Sequence, residues 1–281
     1  MNIFITGAGG QLGNELVRVG QETGHQVTAS HHDDLDITKP ADIKAAFVAS
    51  RPDVVIHAAA WTAVDACEED PDRAFAVNGL ATGSIADAAR SVGARVVYVS
   101  TDYVFDGHKP TAYIETDQPN PQSVYGASKL AGEHAMSDHD AIVRISWVCG
   151  FQGTNMVKTI LRLANSQPEL KFVNDQIGSP TFADDAAAMI IRLAAEQRCG
   201  LWHVTNQGVV SWYGFAQEVL RAAGMDPHRV KPVSSEELIP PRPAKRPTNS
   251  VLDNSALRSA GLPLLDDFHI PLQRLVDRLH N

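Results

Sequence analysis

Cysteine is scarce. Cys67, Cys149 and Cys199 are the only three in 281 residues, and they share no paired spacing. That excludes a disulfide framework and a zinc motif, and it fits inert thiols in a reducing cytoplasm. Long apolar runs are missing too. Stretches such as Val54 to Ile56 and Val96 to Val99 are strand-sized, far short of the roughly 20 residues a membrane-spanning helix needs. Positive charge is in deficit, with 24 Lys plus Arg against 33 Asp plus Glu and a net charge of −9. An acidic surface repels phosphate backbones, so no nucleic-acid partner is expected, whereas a small anionic ligand needs only a few local donors. No basic leader precedes the opening Met1-Asn2-Ile3-Phe4, so no secretory signal is expected. Internal repeats and low-complexity tracts are absent. The expectation is a cytoplasmic protein without a membrane partner.

What the chain does have is ordinary globular composition, with 44% hydrophobic and 20% charged residues. Short β-rich runs alternate with longer amphipathic segments through the first half. Strands are expected at Asn2 to Thr6, Gln26 to Ser30, Val54 to His57 and Arg95 to Ser100. Helices are expected at Gln11 to Glu22, Ile43 to Ser50 and Asp72 to Ser91. Val- and Ile-rich strands separated by helices predict α/β architecture, a doubly wound parallel (Rossmann) sheet. The second half is less regular. Tyr125 to Met136, Thr154 to Asn165, Ala183 to Gln197, Ser211 to Ala223 and Leu272 to Leu279 read as helices. Ala141 to Val148 reads as a strand, and Leu201 to Thr205 as a late strand rejoining the main sheet. Pro227 to Pro247 is proline-rich and predicts an extended covering segment. The expected division is a dinucleotide-binding domain over 1–148, rejoined by segments around 180–205, and a smaller, mainly helical substrate-binding domain over 149–281.

The first strand runs straight into Thr6-Gly7-Ala8-Gly9-Gly10-Gln11-Leu12-Gly13. A Gly-x-x-Gly-x-x-Gly turn supplies positive φ and lets the backbone approach a pyrophosphate, while the helix N-terminus faces the anion. A lone glycine pattern is weak; its place in the first βαβ unit is what points to a dinucleotide. The second strand ends at Ser30-His31-His32-Asp33, where an adenosine ribose would lie. Acidic residues there favour NAD and basic or small polar ones the 2′-phosphate of NADP; both kinds are present, so NADPH and NADH both stay open. Asp36-Ile37 covers the adenine or forms a plain loop. Ala58-Ala59-Ala60 is a small-residue turn that lets a cofactor lie against the backbone. Adjacent His31 and His32 point apart, so no metal is expected there.

The reactive chemistry lies in Tyr125-Gly126-Ala127-Ser128-Lys129. Tyr and Lys at i and i+4 share one helix face. A free phenol titrates near pH ~10, and a neighbouring ammonium is expected to lower it enough to relay a proton. Tyr-x-x-x-Lys alone is common in any helix. Ser100-Thr101 changes its weight, because a hydroxyl at the carboxyl end of the fourth strand lies in the ligand crevice of such a sheet. Glycine turn, hydroxyl, then Tyr-x-x-x-Lys form an ordered set suited to ketone reduction.

These motifs resemble the extended short-chain dehydrogenases and, within them, the dTDP-4-dehydrorhamnose reductases. The resemblance spans nearly the whole chain. Besides the motifs already quoted, it rests on Thr62-Ala63-Val64-Asp65, Ser100-Thr101-Asp102-Tyr103-Val104-Phe105, Arg144-Ile145-Ser146-Trp147-Val148, Asp175-Gln176-Ile177-Gly178-Ser179-Pro180-Thr181 and Arg246-Pro247-Thr248-Asn249-Ser250. It implies that Thr101, Tyr125 and Lys129 carry the reaction, with Lys129 also holding the nicotinamide ribose. It implies a cofactor site at Gly7, Gly9, Gly10, Gln11, Leu12, Gly13, His31, Asp36, Ile37, Ala58, Ala59 and Ala60. It implies a dTDP-sugar pocket of Thr62, Val64, Thr101, Tyr103, Trp147 and Arg246, with Asn78 bracing the site. Trp147 reads equally as core packing, and Arg242, Lys245 and Arg246 as a diphosphate clamp or a solvated basic stretch. Thr248 stands where the family usually has alanine. Some members bridge dimers through magnesium; Asp184 and Asp185 lie near that region without a clear match, which leaves Mg2+ and the choice of monomer or homodimer open. Related dehydratases carry an Asp-Glu pair after the threonine, whereas Asp102-Tyr103 lacks the second carboxylate. A competing reading is a non-catalytic subunit similar to the regulatory subunit of methionine adenosyltransferase, which keeps the nucleotide pocket as a binding module.

Overall fold

A computed structural model describes residues 1–280; Asn281, the last residue of the expected second domain, lies outside the described residues. The central sheet holds β1 (Asn2–Thr6), β2 (Gln26–Ser30), β3 (Val54–His57), β4 (Arg95–Thr101) and β5 (Ala141–Ile145), joined at one edge by Gly200–His203. From that edge the order is Gly200–His203, β5, β4, β3, β1, β2. Every pair is parallel, with Ile3 opposite Val27 on one side of β1 and Val54 on the other. The strands are apolar on both faces because helices cover both. On one face α1 (Gln11–Glu22) and the helix Ala183–Ala195 close over Ile3, Ile5, Ile56 and Val97. On the other, Ile43, Phe47 and Ile85 from the helices Pro40–Ser50 and Ala81–Ser91 pack on Phe4, Val55 and Tyr98.

A separate apolar cluster gathers Val157, Ile160 and Leu161 with Phe215, Val219, Phe268, Leu272 and Val276. Its helices are Met156–Ser166, Trp212–Ala222 and His269–His280. Asn155 and Ser211 cap the first two with side-chain oxygens on the amides of Lys158 and Gly214, which fixes where each helix starts. Leu257, Leu262 and Leu265 return to the first cluster. The sheet therefore draws its core from both ends of the chain.

Four sequence expectations change. The helix expected over Asp72 to Ser91 is broken into Pro71–Phe75, a π-helical turn Ala76–Leu80, and Ala81–Ser91. The strand expected to Val148 stops at Ile145, because Trp147 takes φ +48° and the chain resumes as Val148–Cys149 beside Thr181–Phe182. The helix expected over Tyr125 to Met136 covers Val124–Glu133, opened by a Ser123 cap on the Gly126 amide. The proline-rich 227–247 segment is not uniformly extended: Val230–Val233 pairs in parallel with Leu170–Val173, a strand that periodicity did not reveal. Its prolines are tolerated because this is a two-stranded edge.

Candidate active site

The glycine turn closes on backbone. Gly7 has φ +70°, and a β-carbon there would sit 2.7 Å from the Ala59 nitrogen. A β-carbon on Gly13 would lie 2.0 Å from the Gly7 carbonyl oxygen. The Gly10 amide already donates to that oxygen at 3.0 Å. At the start of α1, Gly10 provides no side-chain cap and the first turn carries no acid. Free amides and an uncancelled positive dipole end therefore face the crevice, a cradle that suits a pyrophosphate.

Beside it lies a cavity of about 290 Å³, lined by Gly7, Gly10, His31, Asp36, Ile37, Ala58, Ala59 and Ala60 among the expected residues. Ser30 and His32 of the strand-two end also line it, together with Thr38, Arg73 and Val77, which were not singled out in the sequence. Two carboxylates near its ribose end hold local hydrogen bonds. Asp34 accepts from the His31 amide at 2.9 Å, and Asp36 accepts from the Thr38 hydroxyl at 2.6 Å, which holds Asp36 below the usual carboxylate range. Gly9 lines neither this cavity nor the next; a β-carbon on it would meet His31 Nδ1 at 3.2 Å.

A second cavity of about 430 Å³ runs from the glycine turn to the reactive residues. Gln11, Leu12, Gly13, Thr62, Val64, Thr101, Tyr103, Tyr125, Lys129 and Trp147 line it together. Gln11 also ties the two cores: its Oε1 accepts from the Gly150 amide at 2.9 Å and from Asn155 Nδ2 at 3.0 Å. Trp212, unmarked in the sequence, stacks on Trp147 with ring centroids 3.6 Å apart and planes 8° apart. Trp147 is thus packed against a second indole and also lines the cavity. Tyr103 meets Tyr125 edge to face at 5.5 Å.

The expected lowering of the Tyr125 phenol by Lys129 does not appear. Burial drives the Tyr125 phenol above its ordinary range; the Thr101 hydrogen bond opposes this and Asp102 adds to it. The Lys129 ammonium is turned elsewhere. It donates to the Val99 carbonyl at 2.7 Å and lies 4.1 Å over the Tyr98 ring. Burial pulls Lys129 itself down to about 7, against the Glu133 carboxylate, which raises it. The phenol is thus held protonated rather than made acidic.

Around this pair the side chains are locked. Asn78, in the π-helical turn, donates to the Trp61 carbonyl at 3.1 Å and to Ser128 Oγ at 3.0 Å, and accepts from the Trp61 amide at 2.8 Å. A π turn adds a residue and re-aims a side chain, and here it clamps the loop after β3 to the Tyr125 helix. His57, fully buried, shares hydrogen bonds with Thr6 and Thr82, and burial holds its imidazole at about 3. Neither the π turn nor His57 leaves a sequence signature.

Arg246 does not line the cavity. Its guanidinium grips both oxygens of Asp65, Nη2 to Oδ2 at 2.7 Å, which holds Asp65 below its usual range. Asp184 and Asp185 are likewise taken, by Arg274 at 2.7 and 2.5 Å. An arginine on both carboxylates does not fit a magnesium site, and no cluster of three potential metal ligands occurs among the described residues. No helix of the described residues is long and apolar enough to cross a membrane.

The RmlD substrate binding domain model matches residues 1–281. A dTDP-4-dehydrorhamnose reductase of Burkholderia thailandensis is 41% identical over 286 residues, 95% of each chain. A crystal structure of a dTDP-4-dehydrorhamnose reductase from Clostridium acetobutylicum superposes with a TM-score of 0.96 at 41% identity, covering 100% of both chains. One from Bacillus anthracis, solved in complex with NADP, gives 0.94 at 38% identity over 98% of each.

Proposed function

Since the chain belongs to the RmlD substrate binding domain family, we propose that its two cavities serve one reaction, NAD(P)-dependent reduction of the 4-keto group of dTDP-4-dehydro-L-rhamnose to dTDP-L-rhamnose. The observation that carries this reading is the convergence of Thr101, Tyr125 and Lys129 on the cavity that also contains the glycine turn. When bound, a dihydronicotinamide supplies the hydride. Thr101 orients the ketone by donating to its oxygen. Tyr125 begins protonated, as an acid must, and transfers its hydrogen to that oxygen as the alcohol forms. Lys129 then stabilises the resulting phenolate by charge and holds the nicotinamide ribose. Trp147 and Trp212 form an aromatic wall for the sugar, with Thr62, Val64 and Tyr103 opposite. Arg246 acts through its pair with Asp65, and Arg242, whose charge is felt by both Arg246 and Asp65, is the cation offered to the diphosphate.

NADPH is the preferred donor in this reading. Asp34 and Asp36 each hold a local hydrogen bond, and the cavity sets Ser30, His31, His32 and Thr38 beside Asp36, small polar and imidazole groups that accommodate a 2′-phosphate. The residues 1–148, with 183–203 returning to the sheet, form the cofactor domain, and the Met156–Ser166, Trp212–Ala222 and His269–His280 helices the substrate domain. The test is an absorbance assay with dTDP-4-keto-6-deoxy sugar, the epimerase that produces the L-lyxo substrate, and each reduced cofactor. Loss of NADPH absorbance with formation of dTDP-rhamnose is expected. Stoichiometric NADPH binding without turnover would replace this reading with that of a binding module.

A further inference from the structure

The helix Val124–Glu133 carries its chemistry in a row. Tyr125, Lys129 and Glu133 are spaced by four, so they lie along one face. Glu133 is 6% exposed, and Arg144 from β5 is 2% exposed. Arg144 grips it with two nitrogens, Nε to Oε1 at 2.9 Å and Nη2 to Oε2 at 2.6 Å. Ser100 in β4 donates to Oε1 at 2.5 Å. The carboxylate is therefore fixed from two strands at the buried end of the reactive row. Lys129, 2% exposed, has no ion pair within 4 Å among the described residues, only the Val99 carbonyl and the Tyr98 ring. A buried ammonium so weakly served loses its proton unless an anion lies nearby.

We propose that Glu133 is a positioning residue of this reaction: buried one helical turn beyond Lys129 and paired with Arg144, its charge keeps the Lys129 ammonium charged in the cavity that Tyr125 lines. This deepens the reductase reading and rests on it. The groups facing Lys129 are few. Tyr125 and Glu133 share its helix, His57 approaches from β3, Tyr98 and Asp102 from β4 and the turn after it, and Arg144 from β5 behind Glu133. Glu68, on the neighbouring Val64–Glu69 helix, is turned to the Val124 amide at 2.8 Å, and the Ala76–Leu80 turn has no titratable side chain. His57 is held neutral by burial, and Asp102, itself pushed up to about 6 by burial, bonds to Thr101. Asp102 is ionised above that value but is not among the charges that raise Lys129; Glu133 is, and burial still brings Lys129 down to about 7 against its pull. Removing Glu133 moves that balance downward, so Lys129 becomes neutral at a lower pH.

The experiment titrates the cofactor-free protein labelled with [6-13C]lysine, assigning the Lys129 signal by its absence in Lys129→Arg. In Glu133→Gln the Lys129 midpoint falls by about one pH unit or more, and the alkaline limb of kcat/KM for keto-sugar reduction moves to lower pH with it. In Arg144→Lys, which keeps the charges but breaks the two-nitrogen grip, the midpoint stays. A purely structural role would disturb both variants alike or move neither midpoint. Should Glu133→Gln fail to fold, Glu133→Gln with Arg144→Met removes the pair together and is expected to show a smaller fall, because loss of the Arg144 cation offsets part of it. An unmoved midpoint in the folded variant, or equal shifts in Glu133→Gln and Arg144→Lys, overturns the proposal. A wild-type protein that reduces no keto-sugar would instead overturn the reductase reading, and the titration would still report on Glu133.

Discussion

The two cavities are built from opposite materials. The one at the glycine turn is shaped by backbone and small side chains at Gly7, Gly10 and Ala58 to Ala60, with Gly7 packed so closely on Ala59 that an added β-carbon would collide. The reactive one is made of large, buried, hydrogen-bonded side chains brought from distant parts of the chain, with Tyr125, Lys129 and the Trp147–Trp212 stack at its walls. Backbone recognition tolerates almost no added atom, but it needs no tuned charge. Side-chain chemistry tolerates a change of shape better than a change of proton. The two halves of the site should therefore fail differently when damaged.

The sharpest break comes at Tyr125. Tyr125→Phe removes the acid and leaves the ring, so kcat falls by ~10²-fold or more while NADPH affinity stays within a few-fold, as for a lost general acid. Steady-state rates and calorimetric binding check both halves of that statement, and retained turnover would remove Tyr125 from the chemistry. Gly13→Ala should give the converse failure. Its β-carbon meets the Gly7 oxygen at 2.0 Å, so α1 must shift, at a cost of ~1–3 kcal/mol for overpacking. The expected result is a lower thermal midpoint and NADPH affinity weakened by about tenfold or more, with the Lys129 titration unmoved. Native NADPH binding in Gly13→Ala would show that the turn has slack the geometry denies. Thr101→Ala falls between them. It removes a donor to the ketone, and a rate loss of about tenfold is expected, less than for Tyr125→Phe because water can replace a hydroxyl. An unchanged rate would exclude Thr101 from the reaction.

The same contrast explains what the sequence made legible. Gly7, Gly10 and Gly13 could be read because the constraint is local: strand, turn and helix lie within a dozen residues. The parallel sense of the strands followed from Val-rich runs between helices, and the return of a late strand to the main sheet, seen as Gly200–His203, was legible in the same pattern. Tyr125 and Lys129 could be found by spacing, yet their electrostatics could not. The four-residue interval suggested an ammonium acting on a phenol, whereas the folded chain turns Lys129 to Val99 and lets burial raise the phenol instead. Trp212, His57 and the Glu133–Arg144 pair escaped because their partners lie 65, 25 and 11 residues away, and no periodicity records such meetings. Arg246 looked like an anion clamp for the same reason: nothing near it in sequence announces Asp65, 181 residues earlier.

The smallest expected effect tests where backbone recognition ends and side-chain discrimination begins. The 2′-phosphate of NADPH is what separates it from NADH and lies beyond the pyrophosphate that the glycine turn reads, and in this cavity it would fall among Ser30, His31, His32 and Thr38. His31 is exposed, but its ring is placed by the turn itself, because its amide is fixed by Asp34 and its Nδ1 faces Gly9. An exposed polar contact to a phosphate contributes about 1 kcal/mol, so His31→Ala should cost NADPH about fivefold in KM and leave NADH nearly unchanged. Measuring both cofactors in both proteins gives the discrimination ratio directly. Equal losses for NADH and NADPH would mean that His31 shapes the turn rather than reads the phosphate, and would assign cofactor choice to the backbone alone.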